Sequence, residues 1–229
     1  MPQGFTLLFT HRDLPVQPTP TVTVAWKRFS AALSLDSAMA APLLARLSRA
    51  YQTGDRHYHT LEHVIDCLST LSSYPSPPSP LSIELALWYH DAIYDPNRSD
   101  NEAQSALFME SEFAAAELDP QILGQAKALV LATSHKETAS NEAEAIIADV
   151  DMAILATPPA RYLQYTQQIR KEYSCFDDAS YRVGRSTFLK TFLSQSQIFQ
   201  TAHYRDMFEN RARINMGEEL KRLKAKDSD

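Results

Sequence analysis

Apolar residues recur at three- and four-residue intervals through most of the chain. Val22, Ala25, Trp26, Phe29 and Leu33 make one such stripe. Met39, Leu43, Leu44, Leu47, Ala50 and Tyr51 make a second behind Asp36, a residue suited to an N-cap. Thr53-Gly54-Asp55 breaks the pattern, and a third helix is expected over 58–71, ending before Tyr74-Pro75-Ser76-Pro77-Pro78-Ser79-Pro80, which reads as a loop. Over 81–93 nearly every face is apolar, which predicts a helix buried on all sides with His90 and Asp91 at its C-terminal end. Helices are also expected over 101–118 and 120–133, and from about Asn141, where Glu144 stands at capping-box spacing. After Pro158-Pro159 three more are expected, over 160–173, 178–193 and 201–224. No stretch alternates with period two in the manner of a strand, so the expected fold class is all-α, with roughly nine or ten helices.

Composition narrows the class without naming a chemistry. A chain of 229 residues fits one large domain, expected over 21–229, preceded by a loosely ordered arm over 1–20 that holds Pro2, Pro15, Pro18 and Pro20. No apolar run approaches the ~20 residues needed to cross a bilayer. The short patch Phe5-Thr6-Leu7-Leu8-Phe9 lacks the basic start and small-residue cleavage site of a signal peptide, so a cytoplasmic protein with no membrane partner is expected. The net charge of −6, from 22 basic and 28 acidic residues, argues against duplex nucleic acid as a partner. Five Gly and no Gly-rich phosphate loop exclude P-loop and dinucleotide-binding readings. The two Cys, Cys67 and Cys175, have no metal-type spacing, which leaves His and carboxylate as the expected metal ligands.

Four of the seven His lie near one another in sequence, within or beside apolar helices. His59 and His63 are four apart and Asp66 is three further on, which places all three on one stripe of the expected third helix. That spacing alone fits a solvated helix face as well as a metal site. His90-Asp91 changes the balance, because Ala86, Leu87, Ile93 and Tyr94 lie one turn away and a buried imidazole and carboxylate need a partner. Either a metal or a mutual hydrogen bond between the two would satisfy them. In Ala148-Asp149-Val150-Asp151-Met152 the acids point about 200° apart, so only one can join such a site. Asp151 is the expected one, since Ile147, Ala148, Ile154 and Leu155 surround it. Asp149 is expected to cap a helix or support the ligands from behind.

His63, His90-Asp91 and Asp151 together resemble the H…HD…D signature of the HD superfamily of metal-dependent phosphohydrolases. Tyr58-His59-Thr60 followed by His63 is similar to the paired His motif of cyclic-nucleotide phosphodiesterases, in which the first His is an acid and the second a ligand. His90-Asp91-Ala92-Ile93-Tyr94-Asp95 resembles the HD-x-x-ED element of ppGpp hydrolases, with Tyr94 in place of Glu. A closer likeness covers 26–223, to a bacterial group of predicted metal-dependent HD phosphohydrolases. It includes Arg56-His57-Tyr58-His59, Ser99-Asp100-Asn101-Glu102, Ala132-Thr133 with His135, Ile169-Arg170-Lys171-Glu172-Tyr173 and the segment 209–215. The resemblance implies a single HD-type helical domain with metal ligands His63, His90, Asp91 and Asp151.

Two imidazoles and two carboxylates suit Mn, Fe, Zn or Ni and argue against Mg. Such an ion would lower the pKa of a water and neutralise a phosphoryl oxygen, leaving protonation of the leaving group to be done. His59 is the candidate acid. Asp95 and Glu102 are candidates for orienting the attacking water, although Glu102 can equally cap its helix. His135 and Arg56 are candidate phosphate contacts. The expected activity is hydrolysis of a small phosphate ester, a nucleotide or a relative. The alternatives are a metal-stabilised nucleotide-binding or regulatory module without turnover and an HD-type di-iron oxygenase, which needs more His ligands than the four core positions supply.

Overall fold

The computed structural model of the chain describes residues 22–114, 116 and 118–225, so the expected arm over 1–20 lies outside the described residues. The described residues are all-α: ten α-helices and one 3-10 turn, with no strand. In chain order they are α1 (Val22–Ala32), α2 (Ser37–Ala50), α3 (Leu61–Leu71), α4 (Pro80–Tyr89), α5 (Asn101–Phe113), α6 (Pro120–Ala132) and α7 (Glu142–Asp151). The 3-10 turn (Met152–Ala156), α8 (Pro159–Glu172), α9 (Asp178–Ser194) and α10 (Ala202–Ala225) complete the chain. Among the described residues no helix is long and apolar enough to cross a membrane.

The apolar run that predicts a helix buried on all sides becomes the central rod. In α4, Ile83, Leu85, Ala86, Leu87, Trp88 and Tyr89 are all fully buried, against α6, α3, α5, α1 and α7. At one end Trp88 meets Trp26 edge-on at 5.1 Å and stacks on Phe29 at 6.3 Å. The Trp26 indole N–H also donates to the Ala40 carbonyl at 2.8 Å, which fastens α1 to α2. The C-terminal half is held differently. Arg185 on α9 and Glu219 on α10 form a buried ion pair, Nε to Oε1 at 2.8 Å, with Tyr162 and Tyr165 of α8 bonded to it. The Asn215 amide of α10 donates to the Leu155 and Thr157 carbonyls around the 3-10 turn.

Three helices are shorter than the periodicity predicts. α3 starts at Leu61 rather than 58, because Thr60 is extended and caps it, accepting from the Glu62 N–H at 3.3 Å. α4 stops at Tyr89 rather than 93. Past it the Arg56 guanidinium takes the carbonyls of Asp91 (2.6 Å) and Ala92 (2.9 Å), and the Ser105 hydroxyl accepts from the Ile93 N–H at 3.0 Å. Distant side chains therefore satisfy backbone groups that a longer helix would have paired. α5 ends at Phe113 instead of 118. His59, His90 and Asp91 thus sit on short non-helical segments flanking helices rather than within them.

Phe29 lies at the junction of α1 with α4 and is wholly buried. Phe29→Ala is expected to destabilise the fold by about 3–5 kcal/mol, read from the urea midpoint at unchanged m-value. A loss under about 1 kcal/mol would mean that the α1–α4 contact is not part of the cooperative core.

Candidate metal centre

His63, in the first turn of α3, points its imidazole inward, and the turn ending α4 brings His90 to meet it with the two Nε2 atoms 3.2 Å apart. The last residue of α7, Asp151, places Oδ1 3.0 Å from His63 Nε2 and 3.5 Å from His90 Nε2. Asp91 places Oδ2 3.0 Å from His90 Nε2 and 3.7 Å from His63 Nε2. Donors about 2.1 Å from one divalent ion stand roughly 3.0 Å apart at right angles and roughly 3.4 Å apart in a tetrahedron. The observed separations match that spacing. His90 Nδ1 lies 2.9 Å from the Leu87 carbonyl and donates to it when it carries the ring proton, which leaves Nε2 as a bare acceptor. Four acceptors facing one another in a buried place need a proton or a cation between them.

His63, Cys67, His90 and Asp151 form a group able to hold a metal ion, with donor atoms all within 4.8 Å of one another. Cys67 Sγ lies 3.6 Å from His63 Nδ1 and 3.7 Å from its Nε2. Being almost equidistant, the sulfur faces the ring rather than the direction of the Nε2 lone pair. Asp91 shares the His90 nitrogen more closely and fits the fourth position better. Asp91 and Asp151 lean on the imidazoles electrostatically: burial pushes both carboxyls up, yet the neighbouring His residues hold them below the ordinary value of 3.8. Burial would lower His90, but Asp91 and Asp151 raise it above 6.5.

A second, distinct arrangement surrounds His59. This residue precedes α3, so it does not share a helical stripe with His63 as the spacing suggests, and its ring stands 6.1 Å from that of His63. The buried Glu172 carboxylate, at the end of α8, accepts the backbone N–H groups of His57 (2.7 Å), Tyr58 (2.6 Å) and His59 (2.9 Å) with Oε1. Its Oε2 lies 2.6 Å from His59 Nδ1. Burial raises the Glu172 carboxyl, but His59 and the backbone donors more than offset this and leave it lowered. Burial likewise lowers His59, and Asp91 and Glu172 overcome it, leaving the imidazole above 6.5. Tyr94 stacks on the ring at 4.0 Å and 26°.

The other candidates divide. His135 joins the centre, with Nε2 2.8 Å from Asp151 Oδ2, from a backbone in the left-handed region at φ 53°. Arg56 is close, yet its donors are committed to the carbonyls of Thr53, His59, Asp91 and Ala92. Asp95 accepts from the backbone and side chain of Asn97, and Glu102 lines a separate cavity with Lys136 and Gln200. Among the described residues, no hydrogen bond or ion pair ties either one to the centre. Asp66 turns outward to Arg161 at 3.4 Å. Asp149 faces away from Asp151 and accepts from Gln200 N, Thr201 N and Thr201 Oγ1 at 2.7–2.8 Å, which anchors the start of α10. It is the more deeply buried of the two, 1% exposed against 17% for the Asp151 side chain, so the expectation that the ligand would occupy the more apolar stripe is reversed. Glu172 was not among the sequence candidates. Its signal is the stripe Tyr162, Tyr165, Ile169, Glu172, a carboxylate continuing the buried face of α8.

No family model, curated protein or solved structure matches the chain.

Two outcomes follow from this geometry. Asp149→Ala is expected to cost about 3 kcal/mol, because three buried donors lose a charged acceptor, while metal content measured by mass spectrometry stays near wild type. Asp151→Asn is expected to lose the metal, and in chelator to lower stability as well, because the imidazoles of His63, His90 and His135 lose their charged acceptor. The metal-free chain also has a defined pH response. The lowered Asp91 and Asp151 contribute fully above 3.8 and lose their contribution as pH falls through their folded pKa; the raised His90 contributes fully below 6.5 and loses its share as pH rises through its folded pKa. Thermal melts in chelator should therefore peak between pH 3.8 and 6.5, and Mn or Zn should move the maximum upward because the ligands must shed their protons. A chelated protein most stable near pH 8 would contradict the assignment.

Proposed function

We propose that this chain is a metal-dependent phosphohydrolase of the HD superfamily, acting on a small phosphate ester such as a nucleotide. One observation carries the reading: two imidazoles four residues apart are given different tasks. His63 turns its Nε2 into a nest of donors, while His59 turns Nδ1 onto a buried carboxylate. His63, His90, Asp91 and Asp151 would hold the ion, with Mn, Fe, Zn or Ni matching a mixed imidazole and carboxylate set. When bound, the ion supplies Lewis acidity to the attacking water and to a phosphoryl oxygen.

The remaining work belongs to the chain's own side chains. With Nδ1–H donated to Glu172, His59 keeps Nε2 for proton transfer, and the neighbouring carboxylates Asp91 and Glu172 favour its protonated form over burial, the direction an acid for the leaving oxygen requires. Glu172 acts through His59 and is a positioning residue: it holds the ring by Nδ1 and the backbone N–H groups of His57, Tyr58 and His59 at once. His135 reaches the centre through Asp151 and is the candidate phosphate contact. Its left-handed backbone, uncommon for a non-Gly residue, fits a position held for a purpose beyond packing. Arg56 holds the 91–92 turn in place, so its part in substrate binding is the orientation of Asp91 rather than a direct clamp.

The deciding experiment is metal analysis of the purified protein together with phosphate release from a panel of monoesters and diesters in the presence of Mn, Fe, Zn or Ni. Activity on at least one ester is expected, and an Asp91→Ala variant as active as wild type would falsify the assignment. Nucleotide-dependent thermal stabilisation without turnover of any ester would favour the regulatory-module alternative. His59→Asn should lower kcat by roughly 10²- to 10⁴-fold on alkyl phosphates, and far less on a p-nitrophenyl ester, whose leaving group needs no proton. Glu172→Gln removes a charge that raises His59, so the alkaline limb of kcat/KM should move to lower pH.

A further inference from the structure

Beside His59 opens a cavity of about 450 Å³ whose walls are mostly aromatic rings. Tyr94 comes from the turn after α4, Tyr173 and Phe176 from the end of α8 and the loop beyond it, and Tyr181 and Phe188 from α9, seven residues and two turns apart. Tyr173 stands 5.9 Å from Phe176 and 6.2 Å from Tyr181, ring to ring. These five rings are all partly exposed, whereas the core rings Tyr89, Phe113 and Phe199 are sealed from solvent. A concave aromatic surface of this size is the usual form of a small-molecule site.

Charge and shape restrict what enters. The guanidinium on its wall, that of Arg185, is already bound to Glu219 and Tyr165 and so is not a free clamp for phosphate. What it offers is aromatic side chains, with Ser180 beside them. Gly184 lies on the same wall in the interior of α9, where a glycine costs about 1 kcal/mol relative to alanine. A Cβ at that position would meet nothing within 4 Å, so the helix itself has room for a side chain where the cavity is open.

We infer that this cavity seats a planar heteroaromatic ring on the alcohol side of the substrate, which makes the substrate a nucleotide rather than a sugar or glycerol phosphate. The inference rests on the phosphohydrolase reading for where the phosphate goes, though not for the ring itself. Stacking on aromatic side chains is indifferent to the identity of the base, so several nucleobases should be accepted.

The test uses the four common ribonucleosides, which carry no phosphate, titrated calorimetrically into the full-length protein. At least one should bind. Phe176→Leu should weaken it roughly 5- to 150-fold, the range for one base stacked on one ring, and Phe176→Trp should restore it. Gly184→Leu should fill the cavity and weaken binding at least tenfold without lowering Tm, so that loss of binding cannot be ascribed to unfolding. Absence of binding for all four nucleosides at millimolar concentration, or wild-type binding in both Phe176→Leu and Gly184→Leu, overturns the inference. Metal-dependent phosphate release from ribose 5-phosphate and from nucleotides is measured in parallel. Release without nucleoside binding sinks the ring site alone. Nucleoside binding that Gly184→Leu abolishes, with no ester hydrolysed under any metal, supports the ring site and sinks the hydrolase reading.

Discussion

Two imidazole nitrogens stand 3.2 Å apart, each 3.0–3.7 Å from an oxygen of two carboxylates, where three separate parts of the chain meet inside a helical bundle. Apolar packing does not hold such a group together, because its members have lost water and must find charged partners in one another or in a cation. A positive charge at the centre, a proton on an imidazole or a cation, gives every member an attractive partner. Much of the architecture around the centre can be understood as what is needed to bring α3, the end of α4 and the end of α7 to one point with their donors facing inward. The apolar rod α4 sets the depth, and Arg56 bends the chain after it so that Asp91 turns back onto His90.

Glu172 does for the neighbouring segment what a cation would do for the donor cluster. A single buried carboxylate gathers three successive backbone N–H groups and one imidazole from a segment more than a hundred residues earlier. Such charge-assisted bonds are stronger than neutral ones and favour the ionised carboxylate. His59 is thereby placed as a consequence of where α8 ends. The aromatic cavity shares that dependence, since α8 and the loop after it also carry Tyr173 and Phe176.

The helical fold is legible in the sequence because periodicity reports burial directly: the run that becomes α4 is apolar on all faces and is enclosed on all faces. Helix ends are less legible where tertiary bonds decide them. Nothing near Tyr89 marks a stop, since the groups that end α4 belong to Arg56 and Ser105, remote in sequence. The proposed donor set is readable from residue types, and the structure turns Asp151 rather than Asp149 toward His63. The reason given by the sequence fails, however, because Asp149 is the deeper carboxylate and is satisfied by amides at the start of α10, which a helical wheel does not show. Glu172 escapes for a related cause: it continues an apolar stripe, and what it binds is main chain, which leaves no mark in the sequence.

The two acids of α7 give that helix a rigidity of phase. One face offers Asp151 to the donor cluster and another offers Asp149 to the first amides of α10, so the helix is clamped rotationally from two sides. Inserting or deleting one residue between Asn141 and Asp149 would shift the upstream face by roughly 100° relative to both carboxylates, setting the core contacts of Ile146 and Ile147 against the two polar anchors. The proline-rich segment 75–80 bears no such double obligation. Length variation among descendants of this sequence should therefore accumulate in that connection and spare α7, so that the spacing from Asn141 to Asp151 serves as a ruler for the fold.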